Sequence, residues 1–143
     1  MPIYLNLGGV RGESEAERHE GWIELETFSF GTVSTKTKNP NQIHNTSQNA
    51  TIQEAFCTRD SDSTSVTLNQ LSFRGSVRQA AVDYVTPRGE IYLQLRFEDA
   101  RIASHSFSNA ANGPPVETFS LVFTKWRTEF YRQLDSLPGQ ASP

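Results

Sequence analysis

Alternation of apolar and polar residues at every second position is the feature that most constrains this chain. Successive side chains of a β-strand point to opposite faces, so such alternation predicts strands with one buried face. The segment EIYLQLRFE (90–98) is the most regular case and predicts that Leu93 and Leu95 are fully buried while Gln94 points outward. The segment IYLNL (3–7) follows the same rule. The chain is therefore predicted to be mainly β.

Two segments change the phase of this alternation partway along. In residues 22–31 an aromatic pair is out of step with the aliphatic pair before it. In residues 116–131, Trp126 and Phe130 fall on the face opposite to the preceding aromatic residues. A single strand keeps one parity, so each shift predicts a bulge, a bend or a strand with both faces covered. This pattern favours a small closed barrel that also packs against a further surface.

Local signals predict one hairpin and one short helix. Proline and glycine between residues 77–86 and 90–98 suit a turn that joins two antiparallel strands. Ser63 or Ser65 can cap the helix at its N-terminus, and Gly75 can end it. The residues predicted to form its buried stripe are Val66, Leu68, Leu71 and Phe73.

A long polar segment and a polar tail complete the chain. Residues 32–50 have no periodicity, and loops of that length in compact domains are usually functional or mobile. Residues 136–143 are predicted to be a flexible C-terminal tail, which leaves residues 1–135 as a single domain. The predicted fold class is a mainly β protein, a small antiparallel β-barrel with one short side helix and a long polar loop.

Composition excludes several classes of partner. The 143 residues carry a formal net charge of −3 and contain no basic cluster, so nucleic acid is not an expected partner. No apolar run approaches the roughly 20 residues that span a bilayer, so membrane insertion is not expected. The first residues lack the basic and apolar blocks of a signal peptide, and any export is predicted to use another route.

No constellation of catalytic, cofactor-binding or metal-binding residues emerges. Cys57 is the only cysteine and is predicted to be a small packed residue rather than a nucleophile. The acidic neighbours of His19 do not converge with it on a metal, His44 lies in the polar segment, and His105 is expected to face outward on a strand. Ser14 lacks the flanking glycines of a nucleophile elbow. The chain is therefore predicted not to be an enzyme and to need no cofactor.

Several short motifs follow one another along the chain. The N-terminal motifs are Gly8, Gly12-Glu13-Ser14, His19, Trp22-Ile23-Glu24-Leu25 and Phe28-Ser29-Phe30-Gly31. Further motifs are Asp62 to Ser65, Gly75, and the segments LQLRFEDARIASHS and VETFSLVFTKWRTEFY. In order and spacing these motifs, which cover nearly the whole chain, resemble the haemolysin-coregulated protein (Hcp) family, which forms the tube of the bacterial type VI secretion system.

The resemblance implies a structural role. The family fold is a small antiparallel β-barrel with one side helix. It assembles into hexameric rings that stack into a tube, work with sheath and spike proteins, and carry or chaperone small effector proteins in the lumen. Such a subunit is made in the bacterial cytoplasm and is then secreted without a signal peptide.

Within such a ring, several residues acquire expected roles. Ser29 points away from its two phenylalanine neighbours and is the candidate for the lumen wall. Trp126 and Phe130 are the candidates for the subunit interface. Glu13 and His19 are expected to be structural residues of the rim that hydrogen-bond backbone groups. The candidates for ring stacking, all in the polar segment, are Lys36, Lys38, Asn41 and His44.

Two other classes of protein share part of this pattern. A monomeric β-barrel or sandwich that binds carbohydrate or peptide would show the same alternation, and a particle of one-subunit mass would favour it. A small hydrolase built on His19 and Ser14 is the weakest alternative, because the two residues lack the sequence context of a catalytic site.

Overall fold

The computed structural model describes residues 1–30, 53–109 and 111–131. These residues form eight strands and one helix, so the predicted class, mainly β with one short helix, is confirmed. The strands are β1 (Ile3–Leu7), β2 (Ile23–Leu25), β3 (Thr27–Phe30), β4 (Gln53–Asp60), β5 (Arg78–Val85), β6 (Ile91–Ser108), β7 (Val116–Phe123) and β8 (Lys125–Phe130). The helix is α1 (Thr64–Arg74).

All strand pairings are antiparallel, in the order β2-β1-β5-β6-β7-β4-β3, with β8 pairing β6. The long strand β6 belongs to two sheets: its first half pairs with β5 and β8, and its second half pairs with β7. We call the sheet of β2, β1, β5, β6 and β8 sheet A, and that of β3, β4, β7 and β6 sheet B. The edge strands β2 and β3 follow one another in the chain, but no hydrogen-bonded ladder joins them. The predicted barrel is therefore only loosely realised among the described strands.

Both predicted changes of phase mark the passage of the chain from one sheet to the other. Glu26 separates β2 from β3, and its backbone N–H donates to the carbonyl of Thr58 at 2.8 Å. Thr124 separates β7 from β8, and opposite it Asp99 has a φ of 55° within β6. A residue at each of these bends resets the parity, so side chains on either side of it can face the same core.

The core lies between the two sheets and is rich in aromatic residues. Phe97 of β6 contacts Phe30 and Phe123 of sheet B, with ring centroids 5.4 and 4.6 Å apart. Leu95 is buried as predicted. The prediction that Leu93 is fully buried is wrong, because Leu93 lies beside β8 and keeps part of its surface exposed.

The helix begins and ends where the sequence predicted, but its buried face is narrower. Gly75 ends it in the left-handed conformation, with a φ of 65°. No serine side chain caps the N-terminus; Asp62 Oδ1 instead accepts a hydrogen bond from the backbone N–H of Thr64 at 2.8 Å. Leu68 and Leu71 are buried. Val66 and Phe73 are exposed, so their predicted place in the core is wrong.

Replacing Leu95 with alanine should lower the free energy of unfolding by about 2–5 kcal/mol, because a buried leucine loses its contacts and leaves a cavity. The matched variant Leu93→Ala should cost clearly less, since Leu93 is only partly buried. Urea unfolding followed by circular dichroism measures both changes. Equal losses in the two variants would contradict this assignment of faces.

Candidate functional site

The connection between β1 and β2 folds over the outer face of sheet A. Gly12 makes this possible: a Cβ at that position would lie 2.7 Å from the carbonyl carbon of Trp22 and 2.8 Å from Cγ1 of Ile23. The Gly12 backbone N–H donates to the carbonyl of Gly21 at 2.7 Å. This close approach explains why glycine precedes Glu13 in the N-terminal motif.

His19 lies at the centre of the covered surface and is almost fully buried. Its Nε2 is 2.8 Å from Oδ2 of Asp83, and its ring stacks on Tyr4 with a centroid distance of 4.7 Å. Gln94 Nε2 donates to the other Asp83 oxygen at 2.7 Å. Burial, and to a lesser extent the charge of Glu24, raise the pKa of Tyr4.

These side chains bear on two predictions. Gln94 lies on the outer face of sheet A as predicted, but it is buried there beneath the connection between β1 and β2. His19 was predicted to bond a backbone group, but its ring bonds a carboxylate of β5. The other rim candidate, Glu13, accepts a hydrogen bond from the backbone N–H of Ser63 at 3.2 Å and also contacts the Ser63 hydroxyl.

A second buried polar cluster joins α1 to sheet B. Glu117 of β7 is fully buried, and its Oε1 accepts hydrogen bonds from Arg59 Nη1 at 2.6 Å and Ser65 Oγ at 2.7 Å. Its Oε2 is 2.5 Å from Nε2 of His105, whose Nδ1 accepts from Asn69 at 3.1 Å. An acceptor role for Nδ1 leaves the imidazole proton on Nε2, facing the carboxylate.

The cluster binds helix to sheet through side chains rather than forming an open reaction site. His105 was expected to face outward, and that expectation is wrong, because its side chain is buried against Glu117. The signal that sequence reasoning missed was the pair Arg59 and Glu117, which lie opposite one another in the register of β4 and β7. Two opposite charges on a core-facing row require each other once they are buried.

Cys57 lies in the core between the sheets and is completely buried. Burial strongly raises the pKa of its thiol, so the reactive thiolate is disfavoured. These properties agree with its predicted role as a packing residue. Among the described residues, no group of three or more His, Cys, Asp or Glu could hold a metal ion.

The lumen candidate Ser29 lies on the outer face of sheet B and is exposed. The register places two rows of side chains on this face, and all but one of their members carry a hydroxyl group. The first row is Ser29, Phe56, Ser120 and Ser104, and the second is Thr27, Thr58, Thr118 and Ser106. We call these two rows the hydroxyl face; apart from Phe56 their side chains are short, and none of them is charged. The next rows of the same side of the sheet carry charges, at Glu54 and Arg101 on one side and at Asp60 on the other. Phe56, the one large side chain of the hydroxyl face, is 46% exposed.

The interface candidates Trp126 and Phe130 lie on β8. Trp126 pairs with Phe97 and Phe130 pairs with Leu93, so both point to the side of sheet A that faces the core. They are nevertheless 40% and 66% exposed, because the described strands of sheet B do not fully cover the core-facing side of β8. No described strand pairs with the second edge of β8.

The structure does not describe the four residues that were predicted to take part in ring stacking. The stacking candidates Lys36, Lys38, Asn41 and His44 lie outside the described residues. In the described part of the chain, no helix is long and apolar enough to serve as a membrane span.

Solved structures of secretion proteins share this fold. Hcp1 from Salmonella typhimurium has a TM-score of 0.78 and 22% identity, covering 90% of this chain and 85% of that one. A type VI secretion system effector from Yersinia pestis has a TM-score of 0.76 and 17% identity, covering 93% and 92%. A chain of the sheath–tube complex of an extracellular contractile injection system (PVC) has a TM-score of 0.60 and 9% identity, covering 90% and 88%. The fold is therefore one found among proteins of contractile secretion machines.

The family to which the chain belongs is shown by comparing its sequence with a family model. The family model described as "Type VI secretion system effector, Hcp" matches residues 4–130. The chain belongs to the Hcp family of type VI secretion system tube proteins. A search of curated protein sequences found no match.

Proposed function

We propose that this protein is a structural subunit of hexameric rings that stack into the inner tube of a type VI secretion system. The observation that carries the proposal is the exposed apolar face of β8. Trp126 and Phe130 continue the core-facing surface of sheet A beyond the edge of sheet B. Exposed aromatic side chains beside an unpaired strand edge favour association with another chain.

A neighbouring copy of the same chain is the occupant that fits this surface. A ring uses heterologous contacts, in which one surface of a subunit meets a different surface of the next. The edge of β8 with which no described strand pairs can accept a strand, and the aromatic side chains of β8 supply the apolar anchors that interfaces require. In this arrangement Trp126 and Phe130 are buried only after the ring has closed.

The hydroxyl face of sheet B supports a role in the lumen wall for Ser29. A wall of short uncharged side chains offers passing proteins few strong contacts, so a small effector can be carried without being trapped. The buried contacts of His19 and the bond from Glu13 to α1 support their role as structural residues of the rim. The stacking role of Lys36, Lys38, Asn41 and His44 remains part of the proposal.

The proposed partners are further copies of the chain, the sheath and spike proteins of the apparatus, and small effector proteins. The subunit acts in assembly and has no catalytic role. It is made in the bacterial cytoplasm and leaves the cell through the apparatus without a signal peptide.

Replacing Phe130 with aspartate should convert the hexamer into monomers, because burying an unpaired charge in an apolar contact has a high desolvation free energy. The control Phe73→Asp changes a more exposed residue, at 84%, on the solvent side of α1 and should leave the hexamer intact. Light scattering and negative-stain imaging measure the mass and the ring. A parent protein that stays monomeric at micromolar concentration would contradict the proposal and favour a binding module for carbohydrate or peptide.

A further inference from the structure

Surfaces of opposite charge lie at the two ends of β1. At the end of β1 near Gly8, an open cleft of about 840 Å³ is lined by Arg96, Lys125 and Arg127 and by one carboxylate, Glu98. Glu129, outside this lining, lies 3.9 Å from Arg96 Nε and 3.7 Å from Arg127 Nε, so three cations face two carboxylates and the cleft keeps a positive excess. Ala81 of β5 forms its floor in line with Arg96 and Arg127, and the small side chain leaves the space open. This surface, the basic cleft, is the part of sheet A that the connection between β1 and β2 leaves uncovered.

The opposite end of β1, near Pro2, carries an acidic recess. The recess is lined by five carboxylates and one guanidinium. The carboxylates are Glu13, Glu24, Glu26, Asp60 and Asp62. The guanidinium is that of Arg59, which forms ion pairs with the buried Glu117 and with Asp62 of the recess. The Nε of Arg59 has no hydrogen-bond partner among the described residues. Neither Glu26 nor Asp60 has a side-chain partner in the described part of the chain, and both are exposed.

The two surfaces are separated by the length of β1, roughly 17 Å at about 3.3 Å per residue. They therefore cannot neutralise each other within one subunit, since exposed charges at that distance are screened. When two copies are placed head to tail, the basic cleft of one copy faces the acidic recess of the other, and the two surfaces are complementary in charge.

We infer that the basic cleft receives the acidic recess of a second copy of this chain. The inference rests on the proposed self-assembly and names the side chains that orient it. The chain has a net charge of −3, so two copies repel each other at a distance, and local complementarity selects the single orientation in which they attract. Contacts between exposed charges determine the relative orientation of the two copies more than they increase affinity. They weaken as the salt concentration rises.

Charge reversal tests the pairing. Variant B carries Lys125→Glu and Arg127→Glu, and variant A carries Glu26→Lys and Asp60→Lys. Each variant alone brings like charges together, so its self-association should be at least about tenfold weaker than that of the parent at low salt. An equimolar mixture should recover assembly, because the reversed cleft of B meets the reversed recess of A while their two unchanged surfaces also match.

Matched controls separate local pairing from total charge. The double change Arg74→Glu and Arg88→Glu alters net charge as B does, and Glu15→Lys and Glu17→Lys alters it as A does, at exposed positions outside both surfaces. Both controls should assemble like the parent in light scattering and negative-stain images. Glutamine at positions 125 and 127 provides a milder variant, should the reversal lower the melting temperature.

The outcomes distinguish this inference from the proposed function. Assembly of the parent together with unimpaired assembly of A and B overturns the inference and leaves the ring intact. Loss of assembly in A and B without recovery in the mixture overturns the pairing of these two surfaces. A monomeric parent at low salt overturns both. Recovery in the mixture alone, lost again at high salt, supports the head-to-tail contact.

Discussion

Glu117→Ala should lower the free energy of unfolding by about 3–5 kcal/mol. Glu117 is fully buried and neutralises Arg59, which is only 2% exposed and cannot reach water when its partner is removed. Removing Glu117 leaves Arg59 with only the partly exposed Asp62 as an ionic partner. Breaking a buried ion pair by removing one member costs more than the pair itself contributes. The variant also frees Ser65 and His105, which hold α1 against sheet B. Urea unfolding measures the loss.

The exposed carboxylate Glu129 provides the matched control. It lies 3.9 Å from Arg96 Nε and 3.7 Å from Arg127 Nε, and all three side chains are substantially exposed. Exposed pairs of this kind contribute about 0–1 kcal/mol, so Glu129→Ala should leave stability almost unchanged. Similar losses for the two alanine variants would mean that the buried cluster does not stabilise the fold.

Phe97→Ala should cost about 3–5 kcal/mol, because the ring is buried at the centre of the aromatic core. It contacts Phe28, Phe30 and Phe123 across the gap between the sheets. Phe56→Ala is the control, since that ring lies on the outer hydroxyl face and keeps 46% of its surface in solvent. Thermal unfolding should separate the two variants clearly. A melting temperature for Phe97→Ala close to that of Phe56→Ala would contradict the packing described for the core.

Sequence alone predicted the strands well because alternation reports directly on which face of a strand is apolar. Both changes of phase, at Glu26 and at Thr124, were found as bends between strands. The glycine that ends α1 was found as well, since a left-handed residue is needed at that point. The family resemblance rested on the order of the motifs, and the family match confirms it.

Alternation could not show which polar residues become buried. Gln94 and His105 look like solvent residues in their own strands, and each is buried by a segment distant in sequence. The partners are Asp83 for Gln94 and Glu117 for His105, and only tertiary structure brings these pairs together. Phe73 was likewise predicted to lie in the buried stripe of α1, but it is on the solvent side of the helix and is exposed.

The position of β1 has a consequence for the order in which the chain can fold. Ile3 pairs with Tyr84, so β1 meets β5, one of its two partner strands, only after β2 to β4 and the helix have been synthesised. By contrast, β6 pairs with β5 before it and with β7 after it through short connections, whose closure costs little entropy. Local hairpins of this kind form quickly, whereas pairings between distant segments are slow. Until β5 emerges, β1 has no partner strand on that edge, and an unpaired edge of an apolar strand can pair with another chain.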